Sequence, residues 1–207
     1  MVKDFSNQFL FISVPKTGCT SIEKMLNGDL FNDPNRPENH DKHSYISTIK
    51  KDYHNDNWDE VWKCGFVRNP YDRAISWWSY LTQHLYTWLD DSCQNEKDRD
   101  RFGCGKNNTF LKFCKNVPWW VWTNCHKWLE DENGNLMVDF IGRYEEFDKG
   151  VETIYNHLNL PLPEIKKINS SKHKHYSEYY CDESFEIVTN HNKRDLEIFN
   201  YKFENKK

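Results

Sequence analysis

The sequence has no long apolar run, little net charge and no paired-cysteine motif, and each absence excludes a class of function. No stretch of the 207 residues is apolar enough to span a bilayer, and the opening MVKDFSNQFLFISV lacks the length and cleavage site of a secretory signal. A net charge of -4 gives no general field to hold nucleic acid or an anionic membrane, so any anion site must be locally basic. We therefore predict a soluble, cytoplasmic protein whose partners include neither nucleic acid nor a membrane.

Neither the spacing of the cysteines nor any known motif indicates a metal site. The seven cysteines show no C-x-x-C spacing, and the sequence contains no H-E-x-x-H or EF-hand motif. Reduced thiols are expected, and no metal site is expected. One pairing stays open, because Cys93 and Cys104 would form a loop disulfide in an oxidising compartment.

Apolar runs alternate along the chain with segments of helical period. Buried strands are predicted at 8–14, 62–67 and 135–141. Helices are predicted at 20–28, 44–53, 70–85, 147–158 and 182–200. This alternation predicts an α/β fold in which a central parallel sheet is flanked by helices in three layers and binds ligands beyond the carboxyl ends of its strands. The hydrophobic content suffices for one core, so residues 1–207 are predicted to form a single domain.

The loop after the first predicted strand has the parts of an anion site. Residues 15–21 (PKTGCTS) offer backbone N–H groups at a helix start, several hydroxyls and one lysine. Gly18 permits close approach of the backbone to a ligand. An ordinary helix start is the alternative, because Thr20 and Glu23 have the spacing of a capping box. A Walker pattern is absent, since Lys16 precedes the single glycine, and an ordinary ATP site is therefore disfavoured.

The loop after the second predicted strand supplies another candidate anion contact. Arg68 ends the strand, Asn69 caps the next helix, and Ser76 lies on that helix. The guanidinium of Arg68 is suited to holding a phosphate with two parallel hydrogen bonds. The alternative is a capped helix in which Arg68 or Arg73 pairs with nearby carboxylates. The two loops taken together favour the anion site.

These two loops resemble the donor-binding motifs of a known family. VPKTGCTSI resembles the 5′-phosphosulfate loop, and FVRNPYDRAISWWSY the 3′-phosphate segment, of sulfotransferases that use 3′-phosphoadenosine 5′-phosphosulfate (PAPS). The stretches DFIGRYEEFDKGVETIYNHLNLP and KHKHYSEYYCDESFEIVTNHNKRDLEIFNYKF resemble the carbohydrate-type branch, so the likeness covers most of the chain. The resemblance implies a P-loop-like fold, sulfuryl transfer to a hydroxyl of a glycan or other acceptor, and adenosine 3′,5′-bisphosphate as product without a metal ion.

The resemblance also implies which residues bind the donor. The 5′-phosphosulfate would be held by Lys16, Thr17, Gly18, Cys19, Thr20 and Ser21, the 3′-phosphate by Arg68 and Ser76, and the adenine by Tyr144. Cys19 departs from the Ser, Thr or Gly more usual at its position, but its backbone N–H is unchanged. A thiol role for Cys19 is the alternative. Lys16 would stabilise the leaving group and so act as a catalytic residue.

A general base must take the proton of the acceptor hydroxyl, and histidine has the pKa suited to that task. His43 is the leading candidate, because it lies between the two loops and the family has a Lys-His pair at about this place, here Lys42-His43. The alternative for His43 is an exposed residue at a helix start. The other candidate bases are His40, Asp41, Glu23 and His84.

Two further segments bear on substrate access. The basic stretch 170–176, which includes His173 and His175, is either a lid over the donor phosphates or an exposed polar loop. The PWWVW run at 118–122 is a candidate wall of the acceptor cleft, since consecutive aromatic side chains cannot all face one core. Core packing is the alternative for most of the tryptophans at 77, 78, 119, 120 and 122.

Two other functions stay open at this point. A P-loop small-molecule kinase is disfavoured by the order of Lys16 and Gly18 and by the lack of an evident magnesium-binding Asp after an apolar strand. A non-catalytic nucleotide- or glycan-binding protein on the same fold is the second alternative. The sequence does not indicate the acceptor, the sulfated position or the oligomeric state.

Overall fold

The computed structural model of the chain describes residues 2–3, 9–26, 42–52, 57–84, 109–165 and 174–206. Several predictions lie outside these residues: the Cys93–Cys104 pairing, the candidate bases His40 and Asp41, and His173 in the basic stretch. The side chain of His84 is also outside the description. The described cysteines, which are Cys19, Cys64, Cys114, Cys125 and Cys181, have free thiols.

Three of the four strands in the described sheet are parallel. They are β2 (Phe9–Ile12), β3 (Trp62–Val67) and β4 (Phe140–Arg143), and a short β1 (Val2–Lys3) pairs antiparallel with β2. The strand order is β1-β2-β3-β4. Long apolar runs form β2 and β3 because both faces of a parallel sheet are buried.

Helices cover both faces of these strands. On one face Phe11 and Phe66 pack with α1 (Cys19–Leu26) and α6 (Phe147–His157) in a single apolar cluster. On the other face Gly65 lies so close to α5 (His126–Leu129) that an added Cβ would be 2.7 Å from Leu129 Cδ2. A further helix, α2 (Ile46–Lys51), packs against α5. The predicted three-layer α/β fold with a P-loop-like strand–loop–helix unit is confirmed.

The described residues cluster into two compact units, drawn from 1–68 with 125–170 and from 69–124 with 171–207. The sheet and the helices above belong to the first unit. The second unit contains α3 (Pro70–His84), α4 (Phe110–Asn116), α7 (Asp182–His191) and α8 (Lys193–Ile198), with 3-10 turns at Trp119–Trp122 and Tyr176–Tyr179. Its core is aromatic and combines α3, α4 and α7. A single domain over residues 1–207 stays a prediction.

Two predicted elements differ in the structure. The strand predicted at 135–141 begins only at Phe140, because the Asp131 carboxylate accepts hydrogen bonds from the N–H groups of Asn133 and Asn135, both at 2.8 Å, and holds a turn there. The helix predicted at 182–200 is interrupted at Asn192, whose amide donates to the Val188 carbonyl at 2.8 Å. Both departures come from short polar side chains that bond to the local backbone.

Within the described ranges, no helix combines the length and the apolar character that a bilayer span requires.

Candidate active site

A tight turn joins β2 to α1 at the carboxyl end of the sheet. Lys16 and Gly18 have φ angles of 67° and 83°, which lie in the left-handed region. Glycine is required at position 18 for its φ angle and also for lack of space. A Cβ there would lie 2.7 Å from Phe147 Cε2 and 3.2 Å from the Tyr144 ring. The left-handed conformation is unfavourable for the backbone of Lys16, and residues strained in this way are frequent at ligand-binding sites. The conformation of Lys16 therefore marks this turn as a candidate ligand site.

The start of α1 presents unpaired N–H groups at this turn. Ser21 N and Ile22 N donate to the Gly18 carbonyl at 2.9 and 3.3 Å, which begins the helix. In the part of the chain that the structure describes, nothing accepts from the N–H groups of Gly18, Cys19 or Thr20. Such groups and the helix dipole attract an anion. The residues present therefore fit a phosphate or phosphosulfate group.

Three side chains of the turn and the helix start, those of Thr17, Cys19 and Ser21, are buried. The Thr17 hydroxyl is buried and donates to the Val14 carbonyl at 2.9 Å. The Cys19 side chain is 5 % exposed, and burial is the main cause that raises the pKa of its thiol. A neutral, enclosed thiol is a poor nucleophile, so Cys19 is suited to contribute its N–H group.

Arg68 places a positive charge beside the turn. It follows β3 and donates from Nη1 to the Lys16 carbonyl at 3.1 Å. Its Cζ lies 4.0 Å from the centroid of the Tyr144 ring, a cation–π contact. The structure therefore brings Lys16, Gly18, Arg68 and Tyr144 together. Ser76, the other predicted 3′-phosphate contact, is buried on α3 in the second unit, and its role stays a prediction.

A hydrogen-bonded network connects the turn to His43. Lys42 Nζ lies 2.9 Å from Thr20 Oγ1 and 2.7 Å from the Glu23 carboxylate. Glu23 also accepts from the Ser13 hydroxyl, and the Ser13 carbonyl lies 2.6 Å from His43 Nδ1. The chain of contacts thus runs through five residues, from the helix start to the imidazole.

The network fixes the chemical state of His43. A carbonyl oxygen can only accept, so His43 Nδ1 carries a hydrogen, and in the neutral ring the lone pair is on Nε2. Burial is the largest cause that lowers the pKa of His43 below its ordinary 6.5. The ring is therefore neutral at pH 7 and has the form that a general base requires. Its backbone is held as well, since Trp128 Nε1 donates to the His43 carbonyl at 3.0 Å.

Glu23 is unsuited to be the base. Burial raises its pKa, but the hydrogen bonds from Lys42 and Ser13 outweigh burial, and the net effect lowers the pKa. The capping box proposed for ordinary helix starts also fails, because α1 begins at Cys19 and Thr20 lies inside the helix. The sequence did not reveal that Glu23 links Ser13 to Lys42. A signal was present in its T-x-x-E spacing, but a capping box explained the spacing equally well.

The tryptophans of the second unit divide between core and surface. Trp120 packs edge-on against Trp77 at 5.5 Å, and Trp122 stacks on His191 at 4.9 Å. Trp78 contacts Phe110. Trp119 is 79 % exposed, which makes it the member of the PWWVW run that is available to a ligand.

The described end of the basic stretch is structured. His175 accepts from the Ser177 N–H group and caps the 3-10 turn that follows, and Lys174 pairs with Glu178 at 3.0 Å. A lid role for residues 170–176 stays a prediction. Within the described residues, no group of three or more His, Cys, Asp or Glu side chains is placed to hold a metal ion.

The left-handed conformation of Lys16 leads to a stability prediction. Alanine at this position would retain the cost of positive φ, about 1 kcal/mol, whereas glycine would relieve it. Lys16→Gly is therefore expected to melt about 2–4 °C above Lys16→Ala. Both variants lose the same side chain, so scanning calorimetry of the pair isolates the backbone effect. Equal melting temperatures would show that Lys16 is unstrained.

The geometry defines an α/β protein in which a strand–turn–helix unit fits an anion and is linked to a neutral histidine. The chain belongs to the sulfotransferase family, because the profile described as "Sulfotransferase family" matches residues 1–202. The crystal structure of a sulfotransferase from Alicyclobacillus acidocaldarius is similar, with 13% identity, coverage of 95% of this chain and 96% of that chain, and a TM-score of 0.39. No curated protein sequence matches the chain.

Proposed function

We propose that the protein transfers a sulfuryl group from PAPS to a hydroxyl of a carbohydrate acceptor and releases adenosine 3′,5′-bisphosphate. The observation that carries the proposal is the hydrogen-bonded path from Thr20, at the unpaired helix start, to a neutral His43. An anion site alone would suit a binding protein. A base held in one tautomer and linked to that site suits group transfer to a hydroxyl.

The donor would be held by the turn and its neighbours. The N–H groups at the start of α1 and the ammonium of Lys16 would bind the 5′-phosphosulfate, and Arg68 and Ser76 the 3′-phosphate. Tyr144 would contact the adenine. Backbone dipoles and one lysine are adequate for this chemistry, because a sulfuryl group carries less negative charge than a phosphoryl group. No metal ion is part of the proposal.

The transfer itself needs three events at the site. His43 Nε2 takes the proton of the acceptor hydroxyl, the hydroxyl oxygen bonds to sulfur, and the bond between sulfur and the phosphate oxygen breaks. Lys16 stabilises the negative charge that develops on that phosphate oxygen. The imidazolium then returns its proton to solvent, and the base is restored.

Within this proposal, the acceptor is a carbohydrate. This assignment is supported by the resemblance of the carboxyl-terminal half to carbohydrate-type members of the family and by the exposed indole of Trp119, a surface on which a sugar ring stacks. We also place the protein in the cytoplasm, as an expectation from the sequence.

The experiment combines radiolabelled PAPS with a panel of glycans that differ in sugar and linkage. Label in at least one glycan product, in the presence of EDTA, is the expected result. Binding of adenosine 3′,5′-bisphosphate without transfer to any acceptor would favour the non-catalytic binding protein. Label transfer from magnesium ATP instead would favour the kinase.

Trp119→Ala tests the sugar surface. Loss of the exposed indole is expected to lower kcat/KM for the glycan acceptor about fivefold, the effect of roughly 1 kcal/mol of stacking, with binding of the bisphosphate unchanged. Steady-state kinetics provide the measurement. Leu162→Ala is the matched control, because Leu162 is also a large apolar side chain with 48 % exposure. Equal kinetics for the two variants would remove Trp119 from acceptor binding.

A further inference from the structure

The ion pair between Glu23 and Lys42 lies between the anion-binding turn and His43. Its closest atoms are 2.7 Å apart, and the Glu23 side chain is 13% exposed. Each member has a second partner: the Ser13 hydroxyl for Glu23, and the Thr20 hydroxyl at 2.9 Å for Lys42. The pair is therefore the central part of a longer network.

Three separate segments meet in this network. Thr20 and Glu23 are one turn apart on α1, so they share a face of the helix. Ser13 directly follows β2, and Lys42 belongs to the segment that carries His43. Loss of the ion pair would remove one of the two contacts by which Lys42 joins the histidine segment to α1.

We infer that Glu23 and Lys42 are positioning residues, which hold His43 in register with the donor-binding turn and set the electrostatic environment of its imidazole through opposite charges. This inference rests on the proposed function, because it assigns His43 the role of base. Neither residue is required to touch the acceptor. Lys42 adds a second cation close to the helix start, fixed there by Glu23.

The two charges act on His43 in opposite directions. Burial is the largest cause that lowers the pKa of His43; Lys42 lowers it further, and Glu23 raises it. Within the described residues, these are the charged side chains that influence the imidazole. Removing Glu23 should therefore lower the His43 pKa, and removing Lys42 should raise it. Charges that do not act on the imidazole would not produce shifts of opposite sign.

The direct test is an NMR titration of histidine-labelled full-length protein, with the His43 resonance identified from its absence in His43→Asn. Glu23→Gln is expected to lower the His43 pKa, and Lys42→Met is expected to raise it. Matched controls are Glu152→Gln and Lys24→Met, which remove exposed charges from α6 and α1. The controls should leave the titration unchanged.

A third variant separates position from charge. Glu23→Asp keeps the negative charge but shortens the side chain by one methylene, so it cannot reach Ser13 and Lys42 together. It is expected to lower kcat on the order of tenfold, since small misplacements of catalytic groups are costly, and to leave the acidic limb of kcat/KM in place. In Glu23→Gln and Lys42→Met, the pH at which the acidic limb falls should move in the same direction as the His43 pKa measured by NMR.

Different results would overturn the inference and the proposed function. His43 shifts that are absent or of the same sign would overturn the inference, and the NMR readout requires no transfer activity. Wild-type kcat for Glu23→Asp would also overturn it. Absence of labelled product with the wild-type protein, over the whole glycan panel, would instead overturn the proposed function.

Discussion

Lys16→Ala is expected to lower sulfuryl transfer by a factor of about 10²–10³, the usual effect of removing one group that stabilises developing charge. The ammonium lies on the turn whose backbone is fixed by Arg68 and by the contact of Gly18 with Phe147. In the proposed mechanism, its stabilisation of the leaving phosphate oxygen is greatest in the transition state. Binding of adenosine 3′,5′-bisphosphate should therefore weaken much less than transfer does.

Single-turnover transfer of label and calorimetric binding measure these two effects separately. Lys24→Ala is the matched control, since Lys24 lies exposed on α1, the helix that follows the turn, and its loss removes a charge of the same sign. If Lys16→Ala retained more than half of the wild-type transfer rate, Lys16 would have no role in the chemical step.

His43→Ala is expected to lower kcat by a factor of about 10²–10⁴, as general-base catalysis contributes in other enzymes. His43→Asn should be equally impaired, because its amide can donate to the Ser13 carbonyl as Nδ1 does but has no basic nitrogen. His157→Ala, which removes an exposed histidine at the end of α6, is the control. Full activity of His43→Asn would show that the ring is structural.

The pH dependence provides a second readout for the same residue. Burial lowers the pKa of His43, so the base loses activity by protonation only below pH 6.5. The acidic limb of kcat/KM, which reports the free enzyme, should therefore fall below that value. The limb should be absent from the residual activity of His43→Ala. A limb that persists unchanged in that variant would assign the base to another residue.

Much of the fold was predictable from residue patterns. The strand at 62–67 and the helix that begins at Pro70 were located correctly, because a buried parallel strand is continuously apolar and because proline suits the first turn of a helix. The turn at 15–18 was recognised from the glycine and lysine that an anion site needs. The missed strand boundary at Phe140 and the break at Asn192 depend on single side-chain bonds to the backbone, which leave little trace in periodicity.

The site was predictable only in part. His43 was selected by its position between two loops, but its tautomer depends on the Ser13 carbonyl, which is thirty residues away in the chain. The link from Glu23 to Lys42 is likewise a tertiary contact between residues that no local rule connects. The bond from the Thr17 hydroxyl to the Val14 carbonyl is a further contact that the sequence pattern does not indicate, and the predicted role of Thr17 at the donor stays a prediction. Contacts of this kind depend on packing, whereas sequence patterns report local geometry.

Thermal unfolding with adenosine 3′,5′-bisphosphate in the presence of EDTA tests the central claim most directly, because it asks whether the turn at Lys16–Gly18 belongs to a PAPS site. At a ligand concentration of about 100 Kd, binding should stabilise the native state by about 2.7 kcal/mol and raise the melting temperature by about 5–10 °C. Magnesium ATP should give a much smaller shift. No shift with the bisphosphate, together with a clear shift with magnesium ATP, would contradict the account.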